Sequence, residues 1–297
     1  MQSVDVDVAA GVRLRVRHWP GAGRPYLLVH GLSSNARLWD GVAARISGAG
    51  HPVYAVDLRS HGESSAPPDG YDTSTAASDL ATLCARLELV RPVVAGQSWG
   101  GNVVARLAAR QPDGLAALAL VDGGWIDLTA TFDSWDRCAE ALRPPDVDGR
   151  PVAEMRAYLT GAHPAWSTGA IEATLANLRE EPDGTVRRRL SIPHHMQIVR
   201  SMWDDPPWRD FPDITVPVLL LPAIAAEGGD GKRALVTKAA GSLARARIKE
   251  YVGADHDLHA QHPDEVAGDL LDLAELAGVG QPSLLVPRSS DSPALEA

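Results

Sequence analysis

The strongest chemical signal in the chain is Gly96-Gln97-Ser98-Trp99-Gly100. It follows an apolar run at residues 92–95 that reads as a strand, and it precedes residues 100–110, whose spacing predicts a helix. A serine on such a strand-to-helix turn projects its hydroxyl from the carboxyl edge of a parallel sheet. Glycines two residues to either side let strand and helix approach without side-chain clashes. In a loop the same string would mean only a flexible turn, and the flanking elements argue against that. A serine hydroxyl is a weak nucleophile and needs a base. His256, in Gly253-Ala254-Asp255-His256, lies between an expected strand at 247–252 and an expected helix at 263–276, on the late loop from which a base would come. His259 and His262 stand closer to that helix and read as surface or capping groups. An oxyanion formed at an attacked carbonyl requires two aimed donors. The backbone amides of Trp99 and of Leu32, the latter in His30-Gly31-Leu32 after the expected strand at 26–30, fit that need, with His30 ordering its loop.

The elements that must hold these residues alternate along the chain. Residues 4–18 alternate apolar and polar side chains around Gly11, the pattern of an antiparallel hairpin. Strands follow at 26–30, 53–56, 92–95 and 115–121, with helices at 36–46, 76–89 and 100–110 between them. This predicts an α/β fold with a mostly parallel sheet covered on both faces. The alternation stops at 123–211 and resumes with a strand at 216–221, a helix at 232–243, a strand at 247–252 and the final helix. The expected organisation is therefore a core of residues 1–122 and 212–280, a helical lid at 123–211 and a disordered tail at 281–297. The lid segment carries Trp125, Trp135, Trp166, Trp203 and Trp208 of the eight tryptophans. Aromatics gathered in a lid suggest an apolar pocket, so Trp125, Trp203 and Trp208, with His195, are the expected substrate contacts; ordinary packing is the competing explanation.

Composition narrows the partners. The 297 residues are enough for one large core plus an insertion. A net charge of -10 argues against nucleic acid and anionic membranes and leaves small molecules as the expected substrates. Cys84 and Cys138 are too few and too far apart for a metal site or a disulfide framework, which fits a reduced cytoplasm. The N-terminus lacks the basic start and apolar core of a signal peptide, and no apolar stretch reaches bilayer length. No histidine pair has a convincing partner set for a metal. Gly100-Gly101 lacks the following Lys-Ser/Thr of a phosphate loop, so neither metal nor cofactor is expected. The sequence is silent on oligomeric state.

Together, His30-Gly31, the segment Asp57-Leu58-Arg59-Ser60-His61-Gly62-Glu63-Ser64, the serine turn and the late histidine resemble the α/β-hydrolase superfamily over nearly the whole chain to about Ala277. Val121-Asp122-Gly123-Gly124-Trp125 and the stretch from Asp255 to Pro263 look like bacterial esterase-like members. The resemblance implies eight strands with a lid inserted after the sixth. It also implies a triad acid shortly after the seventh strand, yet here that strand leads into Pro222-Ala223-Ile224-Ala225-Ala226, with no carboxylate before Glu227 and Asp230. A subset of the superfamily takes its acid from the end of the sixth strand, where this chain has Asp122. Asp122 is thus the expected acid, Glu227 and Asp230 are the alternatives, and a simple cap is what Asp122 would otherwise be. Asp57, Arg59 and His61 are expected to order the loop after the fourth strand. The leading functional expectation is hydrolysis of an ester, lactone or thioester through an acyl-enzyme. Carbon–carbon hydrolysis, acyl transfer and perhydrolysis also use a serine, and a catalytically silent ligand binder on the same fold is the rival from another class.

Overall fold

The computed structural model describes residues 1–278, so the expected tail at 281–297 lies outside the described residues. The main sheet is built from β1 (Gln2–Ala9), β2 (Val12–Trp19), β3 (Tyr26–Val29), β4 (Val53–Val56), β5 (Val93–Gln97), β6 (Ala117–Val121), β7 (Val218–Leu221) and β8 (Ala246–Ile248). Their spatial order is β1-β2-β4-β3-β5-β6-β7-β8. β1 and β2 form the hairpin, β2 joins β4 antiparallel, and every pair from β4 onward is parallel. This is the α/β architecture that the alternation of elements predicts.

The parallel strands are short and apolar throughout because both of their faces are covered. In β6 the side chains alternate between two cores: Leu118 and Leu120 enter one, Ala117, Ala119 and Val121 the other. The first core is closed by α2 (Thr73–Arg86) and α3 (Trp99–Arg110), the second by α1 (Asp40–Gly48) and α11 (Pro263–Gly278). α2 begins earlier than its apolar spacing suggests, because the Asp72 side chain caps it by accepting from the Thr75 amide at 2.8 Å.

Between β6 and β7 the chain leaves the sheet. It forms α4 (Leu128–Thr131), α5 (Trp135–Leu142), α6 (Val152–Ala162), α7 (Thr168–Leu175) and α8 (Ile192–Asp204), with a small hairpin of Leu178–Glu180 and Val186–Arg188 before α8. The insertion is bonded to the loops at the sheet's carboxyl edge. Asn35 Nδ2 donates to the Ala173 carbonyl at 2.8 Å, Arg189 to the Gly62 carbonyl at 2.9 Å, and Ser201 Oγ accepts from the Thr73 amide at 2.9 Å. Its far end is fastened to α3, where Arg106 bonds Asp210 at 2.7 Å and Asp205 at 2.8 Å. After β7, α9 (Asp230–Gly241) leads to β8, and α10 (Leu258–Gln261) precedes α11.

The strand expected at 247–252 is split. β8 ends at Ile248, and Tyr251–Val252 pairs instead with Ala223–Ile224, past Pro222. Proline has no amide to give the ladder, so the parallel pairing resumes only after it. Cys84 and Cys138 are free thiols. No helix among the described residues is long and apolar enough to cross a membrane.

Candidate active site

Ser98 stands between β5 and α3 with φ 53° and ψ −124°. A non-glycine residue held at positive φ is strained, at a cost of order 1–3 kcal/mol, and persists only where its surroundings fix it. Here the Ser98 amide donates to the Val121 carbonyl at 3.0 Å, and the Ser98 carbonyl accepts from the Gly101 amide at 2.9 Å. The flanking glycines are needed for contact: a Cβ on Gly96 would strike the Gly100 carbonyl, and one on Gly100 would strike that of His30. Gly123, on the adjoining β6 loop, lies so close that a Cβ there would overlap the Ser98 backbone.

The loop after β3 is pressed against the serine. A Cβ on Gly31 would come within 2.8 Å of Ser98 Cβ. Leu32 follows in a turn closed by the Ser34 amide on the Gly31 carbonyl, and Trp99 is the first residue of α3, so its amide is one of the donors that a helix leaves free. Two buried histidines hold this region. His30 Nδ1 donates to the Gly31 carbonyl at 2.7 Å while Nε2 accepts from the Leu58 amide at 3.0 Å. His61 Nδ1 donates to the Arg59 carbonyl at 2.8 Å, and its Nε2 accepts from the Ser33 amide at 3.2 Å. Burial pushes His30 down to about 4 and also lowers His61, so both are neutral braces. Asp57 accepts from the amides of Ala36 and Glu63, and Arg59 pairs with Asp79. The loop-ordering parts expected of His30, Asp57, Arg59 and His61 are what these bonds perform.

His256 occupies the loop before α10. Gln97, the residue before Ser98, donates its side-chain amide to the His256 carbonyl at 3.2 Å, which keeps this loop beside the serine turn. His256 Nδ1 is 2.6 Å from Asp122 Oδ2. Asp122 itself has φ 42°, a left-handed turn that aspartate tolerates, and it is only 3% exposed. Its other oxygen, Oδ1, accepts from the Ala223 amide at 2.9 Å and from Lys232 Nζ at 2.5 Å. Burial alone would raise the Asp122 pKa, but the bonds from His256 and Lys232 outweigh it and hold the carboxyl below its ordinary value. Partial desolvation lowers His256, while the bond to Asp122 and the charges of Asp257 and Asp122 raise it above the ordinary histidine value, against a lowering contribution from Lys232. An ionised Asp122 therefore accepts a hydrogen bond from Nδ1–H, which keeps the proton on Nδ1 and leaves Nε2 free to accept another.

The other sequence candidates separate clearly. Asp230 has a side chain 98% exposed and paired with Arg233, and Glu227 is exposed, so neither meets His256. His259 is fully buried against Trp39 and pushed down to about 3, and His262 pairs with Glu265 at 2.9 Å. The expected substrate contacts are placed differently from one another. Trp203 is half-buried and packs edge-on against Trp135 at 6.2 Å. Trp208 is 53% exposed, donates to Asp127, and lines with Trp125 a cavity of about 460 Å3 beside α9 that includes neither Ser98 nor His256. His195 is an internal strut: Nε2 donates to the Leu142 carbonyl at 3.0 Å and Nδ1 accepts from Ser33 Oγ at 2.9 Å. With both ring nitrogens engaged, His195 joins the insertion to the loop after β3 and has none left for a ligand.

Three contributors were not foreseen. Lys232 reaches Asp122 from α9, Gln97 fastens the His256 loop, and Trp166 donates to Asp255 Oδ2 at 2.7 Å, tying the insertion to that same loop. Only the Lys232 pairing left a sequence signal, a cation in the first helical turn after β7, near where a carboxylate was expected. Among the described residues no cluster of His, Cys, Asp or Glu could hold a metal ion.

A doubly covered eight-stranded sheet carrying a strained serine, a late histidine and a carboxylate at one edge defines a class of enzyme fold. The model of the alpha/beta hydrolase family matches residues 26–270, and the chain belongs to that family. It is 28% identical over 286 residues, covering 90% of this chain and 97% of the relative, to a non-heme chloroperoxidase of Streptomyces lividans. It is 27% identical to a 2-(acetamidomethylene)succinate hydrolase of Mesorhizobium japonicum, covering 87% and 90% of the two chains. Among solved structures, an esterase from Exiguobacterium antarcticum superposes with a TM-score of 0.71 at 17% identity, covering 92% of this chain and all (100%) of that one.

Proposed function

We propose that this chain is a serine hydrolase that cleaves a carboxylic ester, lactone or thioester of a small, partly apolar substrate through an acyl-enzyme. The observation that carries the reading is the 2.6 Å bond between His256 Nδ1 and Asp122 Oδ2, on a loop fastened beside the strained Ser98 turn. With Nδ1 donating to Asp122, Nε2 takes the proton of Ser98 Oγ as that oxygen attacks the carbonyl carbon. The carbonyl oxygen becomes an oxyanion facing the amides of Leu32 and Trp99. Collapse breaks the bond to the alkoxide or thiolate, which leaves with the proton held on His256. Water, deprotonated by His256, then attacks the acyl carbon and releases the acid, restoring Ser98.

Residues 123–211 act in this reading as a lid. Its support is the set of bonds from the insertion to Ser33, Asn35, Gly62 and Asp255 at the catalytic edge. Phe132, Trp135, Leu142, Met196 and Trp203 are partly buried against the core beneath it, which favours substrates with an apolar portion. Relatives named as an esterase, a thioesterase and a hydrolase are consistent with acyl chemistry.

The test is a hydrolysis screen of wild type and Ser98→Ala against p-nitrophenyl esters of increasing acyl length, lactones and acyl thioesters. Serine-dependent turnover on at least one class, favouring an apolar acyl or alcohol group, is expected. If a fluorophosphonate labels Ser98 while every class of acyl substrate stays intact, the bond assignment is wrong.

A further inference from the structure

Lys232 stands in the first turn of α9, on the segment that would supply the acid in a strand-seven arrangement. Its Nζ lies 2.5 Å from Asp122 Oδ1, the oxygen that also accepts from the Ala223 amide, while Oδ2 bonds His256. The Asp122 side chain is 1% exposed and that of Lys232 36%, so the ammonium reaches the buried carboxylate from the solvent side. Two donors on one oxygen fix the plane of the carboxylate and decide which oxygen remains for the imidazole. The ammonium also opposes the field that the carboxylate exerts on the ring.

We propose that Lys232 is a positioning residue for the base: it holds Asp122 Oδ1 so that Oδ2 alone meets His256, and it screens the acid's charge so that His256 can still release its proton to the leaving group. This inference rests on the triad reading above. The charges acting on the ring are Asp122 just past the end of β6, Asp257 in the ring's own loop and Lys232 from α9, and of these Lys232 is the cation. The buried His259 beside the loop is neutral, and Asp255 is turned to Trp166 and His163 of the insertion. Without Lys232, two carboxylates would act on His256 unopposed and the imidazolium would become more stable. Its deprotonation would then move to higher pH.

The experiment measures the rate of inactivation by a fluorophosphonate from about pH 5 to about pH 9, where the acid limb reports the base of the free enzyme. Lys232→Met should shift the limb to higher pH, so that the loss on the acid side exceeds that on the plateau by roughly tenfold, the size of a one-unit displacement. Lys232→Arg should restore the limb. Lys232→Gln keeps a donor for Oδ1 without the charge; it should recover most of the plateau yet keep the displaced limb, and it serves if the Met variant does not fold. A uniform loss at every pH, with the limb unmoved in both neutral variants, overturns the proposal and leaves Lys232 as a loop anchor. Wild type that resists the reagent throughout would instead overturn the triad reading, and this inference with it.

Discussion

Replacing Asp122 with Asn should lower turnover by roughly 10² to 10⁴ while leaving the protein folded, and the direction follows from which atoms meet at that side chain. The Ala223 amide and Lys232 both donate to Oδ1, so the one carbonyl oxygen of an asparagine must take that place. The amide nitrogen then occupies the Oδ2 position, 2.6 Å from His256 Nδ1 in the wild type. A donor there makes Nδ1 the acceptor and puts the ring hydrogen on Nε2, the atom that receives the Ser98 proton in the proposed mechanism. The base is left in the wrong tautomer and its imidazolium without a counter-charge. At about 1.36 kcal/mol per decade, the expected loss corresponds to about 2.7–5.4 kcal/mol of transition-state stabilisation. The assay is kcat and kcat/KM on the best ester from the screen, with circular dichroism to verify folding. His256 sits above the ordinary histidine value chiefly through its bond to Asp122, overcoming desolvation, so the acid limb should also fall to lower pH in the variant. Glu227→Gln and Asp230→Asn should stay within about tenfold, since both side chains are exposed and Asp230 pairs with Arg233. An Asp122→Asn enzyme within tenfold of wild type, or an Asp230→Asn enzyme as impaired, would refute the reasoning.

Gly123→Ala should cost at least about 2 kcal/mol in denaturant unfolding and on the order of 10²-fold in activity, because the new Cβ overlaps the Ser98 backbone; a fully active, equally stable variant would contradict that packing. The Asp122–His256 pair should stabilise the fold most between about pH 4 and about pH 6.5. Asp122 is held below its ordinary value, so its contribution is lost as pH falls through the folded value, whereas His256 is held above its own, so its contribution is lost as pH rises through the folded value. The difference in Tm between wild type and His256→Ala, followed across pH, checks both limbs. Trp208→Ala should leave the order of preference among acyl lengths unchanged, because Trp208 lines an outer cavity, while Trp203→Ala should alter it; relative kcat/KM across an ester series decides.

The strand-to-helix turn at Ser98 was legible because a short local string encodes it. The Gly-x-Ser-x-Gly turn needs no partner elsewhere to be recognised, whereas Asp122 was indicated only through the family resemblance, which allows an acid at the end of the sixth strand, with Glu227 and Asp230 left as alternatives. What spacing could not convey was pairing between strand ends. Lys232 meets Asp122 only because β6 and β7 lie side by side, and Gln97 meets His256 only because the late loop folds back over β5. The split of the expected strand at 247–252 was hidden for a similar reason: it depends on Pro222 in the neighbouring chain segment. The insertion was the least legible part. Tryptophans in a helical stretch look alike in sequence, and only packing separates the half-buried Trp203 from the exposed Trp208 or shows both nitrogens of His195 already bonded. The hairpin at 178–188 escaped notice because its strands are three residues each.

The central claim is that Ser98 carries the acyl group under the control of His256, and fluorophosphonate labelling followed by peptide mass mapping tests it most directly. A single adduct should fall on the peptide containing Ser98. It should be absent in Ser98→Ala and form at least about 10³-fold more slowly in His256→Ala, with the double variant no less reactive toward esters than either single one, since the two residues act as one unit. An adduct on another residue, or a Ser98→Ala protein that keeps more than a few per cent of wild-type turnover, would contradict it.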